Sequence, residues 1–220
     1  MFLTHRLENY YNFHEIKNRL EAKLDRDEFS ILHIELEELV ALIKCINPYS
    51  YYRNQIEQLI LLVEAIIFYK QQAHYQEAFN KLSKALHITS PDFLLDKYEM
   101  FIYAPMEIRI LMNMSFVLNK LNKPEKYQEL MEFCIRNIDE KNEMYPKLCH
   151  NLAGVYRRSK NFIKALEYSD MGIKACKNTR NLNGLNLLYY GKGISEYFLE
   201  KSEYMETLHV SLYLCEALGQ

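Results

Sequence analysis

The side chains best suited to do chemistry in this chain are two asparagines, Asn113 and Asn151, and an adjacent pair of arginines, Arg157 and Arg158. An asparagine amide donates through its NH2 and accepts through its C=O, so it can hold both polar groups of one peptide unit. Guanidinium forks match the geometry of a carboxylate. Each has an ordinary structural alternative: an asparagine can tie one helix to the backbone of the next, and basic residues at a helix end suit the helix dipole. Catalysis finds no such foothold. The chain has no glycine-rich phosphate loop, no HExxH, no nucleophile elbow and no CxxC. Glu37-Glu38 reads as solvated helix surface, Asp25 and Asp27 as helix starts, and His14, His33, His74, His87 and His209 are isolated. The five scattered cysteines read as buried thiols in a reducing compartment. The expectation is a protein that binds, with no enzymatic activity, no cofactor and no metal.

The elements that must position these groups are helices. In 220 residues there are only 6 Gly and 5 Pro, too few for the turns of a β-sandwich or a doubly wound α/β fold. Hydrophobic residues make up 49% and charged residues 25%, which excludes a disordered chain. Apolar residues recur at helical spacing, with prolines between the periodic segments. The pattern predicts helices over 3–24, 28–46, 51–71, 75–88, 91–102, 105–121, 124–138, 144–158, 161–177, 181–200 and 203–218. With 29 acidic against 27 basic side chains the formal charge is −2, which argues against a nucleic-acid grip. Arg6, Glu8 and His14 leave no room for an apolar leader, and the most apolar run, 59–69, contains Glu64 and is too short to span a bilayer. These features point to a cytoplasmic protein with no membrane contact.

The helices recur in pairs. In NLAGVYRRSKNFIKALEYSDMGIKACKN (151–178), Leu152, Ala153 and Tyr156 share one face of a first helix, a turn follows at 158–161, and Phe162 and Ala165 open a second. Ala153 and Ala165 allow close approach of the two helices, while Tyr156 and Phe162 fill the flanks. The unit resembles a tetratricopeptide repeat, with departures at Cys149, Ser169, Gly172 and Lys177. Weaker copies lie at 20–39, 69–86, 111–130 and 198–214. The resemblance implies an all-α, right-handed superhelix of about five helix pairs, one domain over 1–220. Residues 1–24 would form a linker helix or degenerate first repeat, and 203–218 a capping helix.

In such an array the first helix of each pair lines the concave groove. This projection places Glu64, Asn113, Phe116, Lys120, His150, Asn151, Arg157, Arg158, Tyr189 and Lys192 toward a bound peptide. The residue before the first core position reads Glu64, Asn113, Asn151 and Gly193 along the array, with Asn18 the loosest candidate for the first unit. Exposed solenoid ends need a polar cap or a partner. The apolar Met205, Leu208, Leu212 and Leu218 therefore mark the last helix as the expected dimer contact.

Longer phrases carry a narrower resemblance. KALHITSPDF followed by PMEIRILMNMSFVLNKL, then MYPKLCHNLAGVYRRSKNFIKALEYSDMGIKAC and LLYYGKGISEYFLEKSEYMETLHVSLYLCEALGQ, is similar to the C-terminal domain of the peptide-pheromone-responsive regulators of Gram-positive bacteria, the RRNPP group in its PlcR-like and Rgg-like branches. The resemblance covers most of the chain from about residue 15. It implies a homodimeric cytoplasmic receptor that takes up a short signalling peptide, with Asn113 and Asn151 clamping the peptide backbone. DNA would be reached only through a helix-turn-helix domain that this chain does not contain. The alternative is a constitutive protein–protein adaptor whose groove holds a segment of a partner.

Overall fold

The computed structural model describes residues 2–26, 28–47 and 51–218, and the side chains of all of these except 2–8, 25, 51 and 218. Asp27 and Pro48 lie outside the described residues. Among those described there is no strand. Ten α-helices follow in order: α1 (Phe2–Asp25), α2 (Leu32–Cys45), α3 (Tyr51–Ile67), α4 (Tyr75–His87), α5 (Pro105–Lys120), α6 (Pro124–Arg136), α7 (Tyr145–Arg158), α8 (Phe162–Thr179), α9 (Leu185–Phe198) and α10 (Tyr204–Leu218). Packing divides the chain into two compact units, Met1–Lys126 and Tyr127–Gln220.

The expected helix over 91–102 is replaced by a short 3-10 segment, Leu95–Met100, broken by extended φ at Lys97. Its apolar residues do not share a helical face: Phe93, Tyr98 and Tyr103 are buried, while Met100 and Ile102 point outward. Three aromatic anchors hold an irregular strap here, and the Tyr103 hydroxyl donates to the Tyr98 carbonyl.

In the first unit, successive helices from α1 to α5 pack against one another. Glu35 on α2, buried to 2% exposure, is paired at 2.5 Å with Lys23 on α1. Further on, Gln58 of α3 donates to the Ala85 carbonyl at the end of α4 and to Thr89 Oγ1. Thr89 in turn donates to Glu107 on α5, whose other oxygen receives the Ala104 N–H at the helix start. Pro105 opens α5, where its missing N–H costs nothing.

A common register runs through the first-helix ends. Residues Ala73, Asn122, Lys160 and Glu200 all adopt left-handed φ of 54–60°. The residue after three of them donates back five positions: Lys123 to Leu118, Asn161 to Tyr156, Lys201 to Glu196. After α3 the return bond spans six, His74 to Phe68, because α3 ends in a π-helical turn over 68–72. Counting back seven from the left-handed residue finds small buried side chains at Ser115, Ala153 and Gly193. Counting forward five finds the buried second-helix residues Ala78, Tyr127 and Ala165. In the last pair the equivalent buried residue, Thr207, comes seven positions after Glu200. The turn before α10 is therefore two residues longer than the others.

In the second unit, α7, α8, α9 and α10 pack in sequence and α7 also touches α9. Gly172, where the repeat pattern usually has alanine, is set by this packing. A methyl there would stand 2.6 Å from Leu188 Cδ2 and 2.9 Å from Cys149 Cβ. Overpacking costs about 1–3 kcal/mol, and alanine regains about 1 kcal/mol of helix propensity. Gly172→Ala is expected to lower stability by up to about 2 kcal/mol in urea unfolding. A more stable variant would mean that Leu188 turns aside freely.

Candidate functional site

The outward face of α7 is fixed by what lies behind it. Leu148, Cys149, Leu152, Ala153, Val155 and Tyr156 are buried. The Tyr156 hydroxyl donates to Glu132 on α6 at 2.5 Å, and its ring stacks on Tyr168 of α8 with centroids 5.5 Å apart. Gln128 donates to the same Glu132 oxygen. Burial, reinforced by the Glu132 bond, pushes the Tyr156 phenol up to about 12, so it remains a donor. With these groups locked inward, a rotation of about 100° per residue leaves Lys147, His150, Asn151, Gly154, Arg157 and Arg158 on one outward sector, half-buried except for the exposed Arg158.

On this sector Asn151 Nδ2 and Arg157 Nη1 are buried yet without a hydrogen-bond partner among the described residues. Arg157 leans across to α9 and lies over Gly191. A methyl on Gly191 would overlap its Nη1 and come within 3.1 Å of its Cζ. Burial holds the Arg157 pKa below the usual guanidinium value, and the neighbouring Arg158 charge adds to this. Arg158 itself runs past Gly154 and engages the Tyr127 hydroxyl.

The remaining expected site residues are dispersed. Asn113 on α5 occupies the same register as Asn151, nine positions before its left-handed residue, but its NH2 donates to the Arg109 carbonyl of its own helix at 2.8 Å. Glu64, at that register on α3, is paired with Lys81 of α4 at 2.6 Å. Phe116 is half-buried and Lys120 exposed at the end of α5.

On α9 the shared register falls on Gly191, not Gly193. The two extra residues in the turn before α10 account for the offset, since the same interval counted back from α10 stops two residues short. Gly193 instead faces α10, where a methyl would meet Leu208 at 2.7 Å. Tyr189 and Lys192 accordingly sit away from Arg157. With Asp170, Ile173, Lys174, Lys177 and Asn178 they line a separate open cleft of about 330 Å³ between α8 and α9. Lys192 is bonded there to Asp170 at 2.7 Å. The α9 residues that continue the α7 sector are Leu187, Tyr190, Ile194 and Tyr197, and sequence reasoning missed them. Counting forty residues on from Lys147, His150, Gly154 and Arg157 would have found all four.

On α10, Met205 and Leu212 are exposed and Leu208 is half-buried; the Leu218 side chain lies outside the described residues. Of the cysteines, Cys134, Cys149 and Cys176 are buried, whereas Cys45 is exposed and Cys215 half-buried. Burial pushes the Cys176 thiol up to about 11. Among the described residues no helix is long and apolar enough to cross a membrane, and no cluster of three metal-ligating side chains occurs.

No protein family matches the chain in sequence, and no curated protein does. Solved structures do match in shape. PlcR of Bacillus thuringiensis in its apo form superposes with a TM-score of 0.75 at 13% identity, over 99% of this chain and 77% of that one. PlcR in complex with the peptide PapR7 and DNA gives 0.70 at 12%, over 93% and 70%. TPR-like repeats of a putative kinesin light chain from Podosopora anserina give 0.54 at 12%, over 94% and 97%. The fold is that of a tetratricopeptide-type helical array. At these identities the likeness carries the fold alone.

A buried donor without a partner costs about 1–3 kcal/mol. Asn151→Leu, which removes the orphan NH2 and keeps the branched shape, is expected to stabilise the chain by about 1 kcal/mol in thermal or urea unfolding. A clear loss of stability would show that Nδ2 has a structural partner.

Proposed function

We propose that this chain is a peptide-binding sensor domain, with a short peptide held along the outward sector of α7 and the adjoining face of α9. The observation that carries this reading is the buried, unpartnered Nδ2 of Asn151, on the same side of α7 as Arg157. A peptide carbonyl supplies the acceptor that the folded chain withholds, and the amide oxygen takes the neighbouring N–H. The likeness to PlcR, a protein solved with a bound peptide, supports the same use of the fold.

The chain then acts as the sensing part of a homodimeric transcriptional regulator, in which peptide binding shifts the angles between helix pairs. Small rotations at each repeat interface add along an array of this kind. The dimer contact falls on α10, where Met205, Leu212 and Tyr213 expose apolar surface.

Calorimetric titration against short peptides encoded by the source organism's small secreted reading frames tests the first part. A saturable binder is expected, weakened about tenfold or more by Asn151→Ala, or about 1.4 kcal/mol. No binder, together with capture of one folded protein from lysate, would replace the sensor by a constitutive adaptor. For the dimer, light scattering is expected to show a monomer for Leu212→Glu; an intact dimer would place the contact elsewhere.

A further inference from the structure

Arg157 is housed unlike any other cation described in the chain. Its side chain is partly buried between α7 and α9, and its Nη1 has no partner among the described residues. The charged neighbour that bears on it is Arg158, of like sign, and the Tyr190 phenol stands beside it. Space for it is made by two small residues. Gly191 has no side chain to block the guanidinium, and Ser169 on α8, where the repeat pattern has an aromatic, lies 3.4 Å from where a Gly191 methyl would be. Ser169 Oγ is itself turned away to the Ala165 carbonyl. Burying a guanidinium while leaving an N–H unpaired is costly unless an anion completes the site.

We propose that Arg157, seated on Gly191, is a specificity-determining residue that takes a carboxylate of the peptide ligand. The inference rests on the peptide-binding reading above and names the ligand chemistry that the site selects. The planar fork offers two parallel N–H groups to one carboxylate, which a lysine ammonium does not. Asn151 lies at the middle of α7 and Arg157 at its last turn. The peptide backbone is thus held at one place and its acidic group at another, and the acidic group points toward α9. The carboxylate comes from the peptide's C-terminus or from an Asp or Glu side chain.

Affinity selection with mass-spectrometric readout tests this on the full chain. The probes are four randomised heptapeptide pools: with or without Asp and Glu, each with a free or an amidated C-terminus. The pool lacking every carboxylate is expected to be retained at least tenfold less than the fully carboxylated one. Loss on amidation alone assigns the C-terminus, and loss on omitting Asp and Glu assigns a side chain. Arg157→Gln, and independently Gly191→Ala, which displaces the guanidinium without removing it, are expected to abolish the preference for carboxylated over neutral pools. Asn151→Ala is expected to weaken all four pools. Equal retention of charged and neutral pools by the unaltered chain would overturn the carboxylate site and leave peptide binding standing. A preference that persists in both Arg157→Gln and Gly191→Ala would remove Arg157 from the site. Retention of no pool would overturn both readings.

Discussion

The close approach of α9 to α7 and α8 at two glycines is the constraint on which the second unit depends. At Gly172 a side chain would collide with Leu188 and Cys149, and at Gly191 with the guanidinium of Arg157. Both positions lie where larger residues would fit a generic repeat, and both are kept small by what crosses them. The first brings the helix backbones together. The second turns that proximity into a housing for a charged group. Ser169 completes the pattern, since an aromatic at its place would fill the space beside Gly191.

The anchoring of α7 follows from the same economy. Its inner face is packed by Leu148, Leu152 and Tyr156, and Tyr156 is bonded to α6 and stacked on α8. A helix held this firmly cannot rotate to satisfy the polar groups on its outer face. Asn151 Nδ2 and Arg157 Nη1 are therefore left buried and unpaired, a destabilising arrangement that a ligand would relieve. Asn113 shows the contrast: at the same register it closes a bond to its own helix carbonyl, and its NH2 is satisfied without a ligand.

The helical class and most helix ends were legible because apolar periodicity and proline placement are local signals. Paired helices were legible from Ala153, Tyr156, Phe162 and Ala165, whose sizes and spacing report a close antiparallel approach. The strap at 91–102 was not, since three aromatic anchors on an irregular backbone imitate the composition of a helix without its periodicity. The α9 residues that continue the α7 sector were missed for a geometric reason. A turn lengthened by two residues shifts every assignment made by counting back from α10. Tyr189 and Lys192 were read onto a face where the backbone register places Leu187 and Tyr190. Arg157 was singled out by its chemistry, but its seat on Gly191 depends on two helices and is invisible in either alone.

The central claim is that the unpaired donors on α7 are completed by a ligand, and the structure of the chain with its tightest-binding peptide tests it most directly. The account predicts a peptide backbone carbonyl within hydrogen-bond distance of Asn151 Nδ2 and a peptide carboxylate on Arg157, with Tyr156 and Glu132 unmoved behind them. A peptide seated elsewhere, in the α8–α9 cleft beside Lys192 for example, with Asn151 and Arg157 still unpaired, would contradict it.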